Sequence, residues 1–180
     1  MNHQQQLLTL LNPYQPIDQT EANHHQRIQS FVTQTPACTS RQTLSGHVTA
    51  SAWILSPDAN AALLTHHRKL NRWLQPGGHI DPDDTTIQAA ALREAREESS
   101  IPNLRLLDEN LFDLDVHIIP ARKTEPEHFH YDVRFVFQSS THDFIVSEES
   151  NKLAWVELDE ISELVNDQSV LRMVQKSTSF

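Results

Sequence analysis

The chain has 180 residues, 38% hydrophobic and 21% charged, and 14 Lys+Arg against 24 Asp+Glu give a formal charge of −10. That length suits one compact domain burying roughly 70% of its unfolded surface, and the acidic balance argues against a nucleic-acid partner held through phosphates. The single cysteine, Cys38, excludes an internal disulfide framework and fits a reducing compartment.

The first third is polar and rich in Gln and His. Leu7, Leu8, Leu10 and Leu11 predict a short helix that stops before Pro13. A second helix is expected from Asp18, where Asp18 and Glu21 resemble a capping pair, with Ile28, Phe31 and Val32 on one apolar stripe and His24 and His25 at the surface. Residues 1–35 are therefore expected to be a helical extension packed on a main domain of residues 36–180. The N-terminus lacks the basic and apolar regions of a signal peptide, and no run approaches the roughly 20 apolar residues of a membrane span. The expectation is a cytoplasmic protein with no membrane partner.

From His47 the apolar period becomes two. A strand over residues 48–55, a turn at Pro57–Asn60, a return strand over 61–65 and a short strand over 72–74 follow one another. Pro76-Gly77-Gly78 spends two of the chain's three glycines on what reads as a turn, where backbone bends tightly or approaches a ligand. Thr85-Thr86-Ile87-Gln88 has a capping-box pattern, and residues 89–98 are almost wholly good helix formers. Strands are expected over 104–107, 111–119, 129–137, 144–146 and 153–156, and helices over 159–165 and 168–175. The mixture implies an α/β fold with a sheet covered on two faces.

The chemistry concentrates on the central helix. Glu94, Glu97 and Glu98 stand at i, i+3 and i+4, so their carboxylates share a side. Like charges at that spacing repel, and the helix C-terminus disfavours anions. Local stability would not select them, whereas a divalent cation would, since Mg²⁺ takes carboxylate oxygens together with waters and phosphates. The bland alternative is a solvated acidic face with Arg93 and Arg96 as partners.

Taken with the glycines in front, residues 78–101 resemble the Nudix box: Gly78, the acidic Asp84, then Arg93-Glu94, Glu97-Glu98 and the closing Ser100-Ile101. The strands before Pro76-Gly77-Gly78 and the Leu153-Ala154-Trp155-Val156 segment ahead of a helix are also similar to Nudix hydrolases. The sequence departs from the pattern at four places. Asp84 stands for the first Glu, and eight positions instead of seven separate it from Arg93. Ala95 replaces a bulkier aliphatic residue, and Ser100 replaces a glycine at a position that often needs φ > 0, with about 1 kcal/mol of strain.

The resemblance implies a Nudix-type α/β/α sandwich with a mixed central sheet and an N-terminal helical extension, binding Mg²⁺ or Mn²⁺. It implies a pyrophosphohydrolase that cleaves a nucleoside diphosphate linked to another moiety, through attack of a metal-activated water on phosphorus. Glu94, Glu97 and Glu98 would be metal ligands, Gly78 would lie beside the ion, and Arg93 would orient a glutamate. An acidic loop can supply the base in this family, which points to Glu148 or Glu149. Two other readings keep the fold. One is a nucleotide-binding sensor without hydrolysis. The other is an isomerase resembling isopentenyl diphosphate isomerase, which needs a well-placed cysteine, whereas Cys38 precedes the first strand and reads as structural.

Around the box, the strand 128–137 alternates sharply. Phe129, Tyr131, Val133, Phe135 and Phe137 form a core face, while His128, His130, Asp132 and Arg134 form the other. His130 and Asp132 are expected to line a substrate pocket, against the alternative of an exposed polar sheet face. His128, His130 and Asp132 also allow a two-His, one-carboxylate metal site. The basic stretch 66–72 places Lys69 and Arg72 where substrate phosphates can be met, or at a solvated hairpin end. Trp73 beside it reads as a core residue or as a base-stacking one. The expected partner is a small nucleotide or nucleotide-like diphosphate, with a homodimer as one use of the N-terminal helices and a lid as the other.

Overall fold

Strand β1 (Gly46–Leu55) runs through the centre of the molecule, and all of its residues are buried. That burial follows from its alternation. Val48, Ala50, Ala52 and Ile54 point into one apolar core, while Trp53 and Leu55 enter a second on the opposite face. The computed structural model describes residues 1–67, 71–122, 125–146 and 150–180.

Around β1 the other strands are β2 (Ala61–His67), β3 (Arg72–Leu74), β4 (Gly77–His79), β5 (Leu104–Leu106), β6 (Asp113–Ile119), β7 (His128–Ser139) and β8 (Ser150–Glu157). They form one eight-stranded mixed sheet with the main path β3-β2-β1-β7-β5. β7 pairs in parallel with the whole length of β1, from Gly46 opposite Phe129 to Leu55 opposite Gln138. The remaining pairings are antiparallel: β2 and β4 on β1, β6 and β5 on β7, β3 and β8 on β2.

The helices cover both faces. Helices α1 (His3–Leu11), α2 (Gln19–Gln34) and α3 (Ile87–Ser99) bury Leu7, Leu11, Ile28, Val32, Ile87, Ala90, Ala91 and Ala95 in the larger core. The single turn α4 (Ile161–Leu164) and α5 (Gln168–Ser177) close the smaller core with Ile161, Val170 and Met173. This is the layered α/β arrangement expected from the sequence. Among the described residues no helix is long and apolar enough to cross a membrane.

Several local expectations change. Gly77 and Gly78 belong to β4 instead of a turn, paired with Ser51 and Ala50 of β1. The glycines serve a close approach, because a Cβ on Gly77 would lie 2.6 Å from the Ser51 Cα. Residues 144–146 form no strand. The Ile145 amide donates to the Ser99 carbonyl at 2.9 Å, satisfying one of the acceptors left open at the end of α3. His24 and His25 are half-buried: His24 lies 3.2 Å from Asp115, and His25 Nε2 is 2.9 Å from the Leu11 carbonyl.

Two caps also differ. Asp18 accepts from the Glu21 amide at 2.8 Å, but the Glu21 carboxylate turns inward to the Ile17 amide, Tyr14 and Lys176. On α3 the cap is Thr86, not Thr85, and the reciprocal partner comes from another helix. Gln6 of α1 accepts from the Ile87 amide at 3.2 Å and donates to the Thr85 carbonyl at 3.1 Å. The first helix thereby buttresses the start of the third.

Candidate active site

Helix α3 lies against β1 and β4 with its glutamates at the glycine strand. On Gly78, a Cβ would fall 2.5 Å from Glu94 Oε2, so only hydrogen leaves room for that carboxylate. One position earlier, the Gly77 amide donates to Glu98 Oε1 at 2.9 Å. Glu94 and Glu98 therefore meet adjacent residues of one strand from one face of one helix. Glu97 stands further out, with 59% of its side chain exposed.

Arg93 organises this face. Its Nε and Nη2 donate to the two Asp84 oxygens at 3.0 and 2.9 Å, Nη2 also donates to the His79 carbonyl at 2.8 Å, and Nη1 donates to Glu94 Oε1 at 2.9 Å. A fork-shaped cation can hold two carboxylates and a carbonyl at once, which a lysine ammonium cannot do with fixed directions. Burial works to raise the Asp84 carboxyl, but Arg93 and the Asp81 amide outweigh it and hold Asp84 below the usual range. The hydrogen bonds to Asp84 and Glu94 hold the Arg93 guanidinium charged more firmly than usual. Burial raises Glu94 despite Arg93, since withdrawing a carboxylate from water disfavours its charge. Asp84, whose extra spacing put its part in question, is the anchor of Arg93. Beyond α3, Ser100 takes φ +57°, the left-handed conformation expected where it replaces glycine.

The opposite face of the sheet is polar and closed. Asp132 and Arg134 are each 2% exposed, so this face of β7 is not a solvated one. Asp132 accepts from Thr49 at 2.9 Å, Ser51 at 2.8 Å, Gln75 at 3.3 Å and Arg134 at 2.7 Å, which leaves it fully occupied by protein donors. Towards the start of β1, His130 sits among other imidazoles, with ring centroids 4.8 Å from His47, 5.4 Å from His79, 5.2 Å from His128 and 5.5 Å from His117. Burial, then neighbouring positive groups, push His47 and His79 down to about 4 and His130 to about 2.

The remaining sequence-derived residues scatter. Arg72 is 60% exposed and pairs with Asp167 at 3.8 Å, not with the helix glutamates. Trp73 packs at the edge of the smaller core with its ring against His66. Lys69, Glu148 and Glu149 lie outside the described residues. Cys38 is buried and free. The sequence did not single out His47, His79, Thr49, Ser51 or Gln75. The strand parity of residues 47, 49 and 51 was visible, but the parallel register that sets His47 beside His130 was not.

Known proteins carry the same frame. A family profile for the NUDIX domain matches residues 46–175. The match spans most of the chain, which belongs to the Nudix hydrolase family. Among solved structures, the chain is similar to a NUDIX-family hydrolase from Clostridium perfringens, with 22% identity, a TM-score of 0.56, 73% of this chain and 96% of that one covered. It is also similar to a C. elegans Ap4A hydrolase, with 20% identity, a TM-score of 0.53 and coverages of 74% and 96%. The NUDIX domain of Shewanella oneidensis NrtR, in complex with ADP ribose, is similar at 16% identity, with a TM-score of 0.55 and coverages of 82% and 96%. No curated protein matches the chain.

Proposed function

We propose that the chain is a metal-dependent pyrophosphohydrolase acting on a nucleoside diphosphate linked to another moiety. The observation that carries this is the convergence of Glu94 and Glu98 on β4, where Gly78 leaves space for a carboxylate and nothing larger than hydrogen fits. The donor set suits a hard cation: carboxylate oxygens on one helix face and a backbone strand beside them. Glu94, Glu97 and Glu98, with the Gly78 backbone, would hold Mg²⁺ or Mn²⁺. A divalent ion bound there would neutralise phosphoryl oxygens and acidify a coordinated water.

The chain's own residues have separable tasks in this reading. Arg93, anchored on Asp84, fixes Glu94 and draws the His79 carbonyl onto the same guanidinium, which sets β4 against α3. Burial raises the Glu94 carboxyl, and a cation bound beside it would favour its charged form. Asp132 fixes Thr49, Ser51, Gln75 and Arg134 in place on the other face of the sheet, while His130 lies two residues before it on the same strand. Two relatives of the fold have nucleotide-type names, one an Ap4A hydrolase and one bound to ADP ribose. They suggest the substrate class to try first.

The test is phosphate release across nucleoside di- and triphosphates, dinucleoside polyphosphates and nucleotide sugars, read with a coupled phosphatase. Wild type and Glu98→Gln are compared with Mg²⁺, Mn²⁺ and chelator. Turnover that needs metal and drops by at least about 100-fold in Glu98→Gln supports hydrolysis, because a lost ligand removes several kcal/mol of transition-state stabilisation. Silence of the folded, metal-loaded protein across the panel overturns it in favour of nucleotide binding without cleavage.

A further inference from the structure

We propose that His47, His79 and His130 form a binding site for a zinc-class transition metal ion, distinct from the glutamate face. The strand registers build it. His47 lies directly opposite His130 across the parallel β1–β7 pair, and His117 lies opposite His130 across β6–β7. On the other side of β1, His79 of β4 stands opposite Thr49, one same-face step from His47. Strands β4, β1, β7 and β6 thus each contribute a histidine to one row across the sheet.

The three imidazoles converge. Ligand nitrogens of His47, His79 and His130 all lie within 4.8 Å of one another. Zinc–imidazole bonds of about 2.0–2.1 Å in a tetrahedral site place ligand nitrogens roughly 3.4 Å apart, so small ring rotations close the set around one ion. His47 is 3% exposed, and neither of its ring nitrogens has a hydrogen-bond partner. Burying an imidazole with both polar atoms unsatisfied is costly, and a buried group of this kind calls for a ligand.

His128 flanks the set beside His130. Its Nδ1 is 2.9 Å from the Pro126 carbonyl, an acceptor, so Nδ1 carries the proton and Nε2 is left with a lone pair. That Nε2 is 3.3 Å from the Nε2 of His130, the spacing of two ligands on one tetrahedral ion. The fourth coordination position falls to His128 or to a water. Arg41 and Glu125 act on the cluster with opposite charges.

Donor chemistry separates this site from the glutamates. Imidazole-only sets favour Zn²⁺, Co²⁺, Ni²⁺ or Cu²⁺, whereas Mg²⁺ and Mn²⁺ favour oxygen. The two sites also occupy different sides of β4, since Gly78 faces Glu94 and the neighbouring His79 faces His47 and His130.

The test uses the untagged full chain, stripped with chelator and titrated with Co²⁺ and then Zn²⁺. One equivalent of Co²⁺ is expected, with the intense visible absorption of four-coordinate cobalt, and displacement by Zn²⁺ but not by excess Mg²⁺. Glu98→Gln should leave this titration unchanged. His79→Gln and His130→Gln should each weaken binding by at least about 100-fold, since even residues that only orient a ligand typically cost about 10–100-fold. His79 and His130 are both half-buried, so either variant keeps the test valid if the other fails to fold. Absence of stoichiometric cobalt binding overturns the proposal. So does binding that survives both histidine variants, or binding that vanishes in Glu98→Gln.

Discussion

Gly77 and Gly78 are neighbours with different obstacles, so the same substitution should act differently at each. On Gly77 a Cβ would meet the Ser51 backbone at 2.6 Å, and backbone cannot step aside cheaply. Gly77→Ala is expected to lower the urea unfolding free energy by about 1–3 kcal/mol, as overpacking does. On Gly78 the obstacle is the end of the Glu94 side chain, which can swing away. Gly78→Ala should leave stability within about 1 kcal/mol while metal-dependent turnover falls, a split that separate unfolding and activity measurements reveal. Ser100 makes the reverse case. Its φ of +57° strains a residue with a Cβ, and Ser100→Gly should raise stability by up to about 1 kcal/mol. That strain was legible, because the comparison with a glycine-bearing pattern identified the position. The strand at Gly77 and Gly78 was not, because paired glycines signal bending as strongly as close approach and only the β1 register tells which applies.

Helix α3 was legible as an element because its composition, its acidic i, i+3, i+4 face and its arginine all point one way. The brace at its start was not, since Gln6, which accepts from the Ile87 amide, comes from a helix about eighty residues earlier. At this scale Arg93 acts as the clamp between α3, β4 and the Asp84 loop. Arg93→Lys keeps the charge but cannot present the fork to Asp84, Glu94 and His79 together. Turnover is expected to fall about 10–100-fold and to need a higher metal concentration for half-saturation, the signature of misplaced ligands. The histidine row gives a second element-scale expectation. His47 and His79 titrate near 4 in the folded chain, against about 6.5 when unfolded. The unfolded state therefore takes up protons first, so stability of the chelator-treated protein should hold above pH 6.5 and fall as pH drops through 4, with His130, held lower still, extending the fall below that. Urea midpoints across that range check it, and His79→Gln should flatten the curve. The row itself was half visible: the alternation in β7 exposed His128 and His130, but no local pattern links residues 47, 79 and 130.

Across the whole molecule, the N-terminal helices and the C-terminal helix are locked together by a buried network of charges. Glu21 of α2 and Asp113 of β6 are both fully buried, and Lys176 of α5 bonds to both, as well as to Tyr14 and the Phe112 carbonyl. Arg172 pairs with Asp113 at 2.7 Å and lies 3.5 Å from Glu21, while Arg134 joins Asp113 to Asp132. Burial disfavours the Asp113 charge, yet Arg172, Arg134 and Lys176 outweigh it and hold the carboxyl low. Nothing in the sequence announced this, because its members are spread from residue 14 to residue 176 and only tertiary packing brings them together. Breaking a buried pair strands its partners, so Glu21→Gln is expected to cost about 3–5 kcal/mol in urea unfolding. Deleting residues 1–35 should do more. It removes Glu21 and Tyr14 from Lys176, takes Leu7, Leu11, Ile28 and Val32 out of the core shared with α3, and strips Gln6 from the start of that helix. A dispensable lid would leave a truncated chain with an intact cooperative transition. These contacts predict instead that the transition weakens or disappears and that amide exchange in α3 accelerates, since that helix loses the Gln6 brace at its start and its apolar cover in one step.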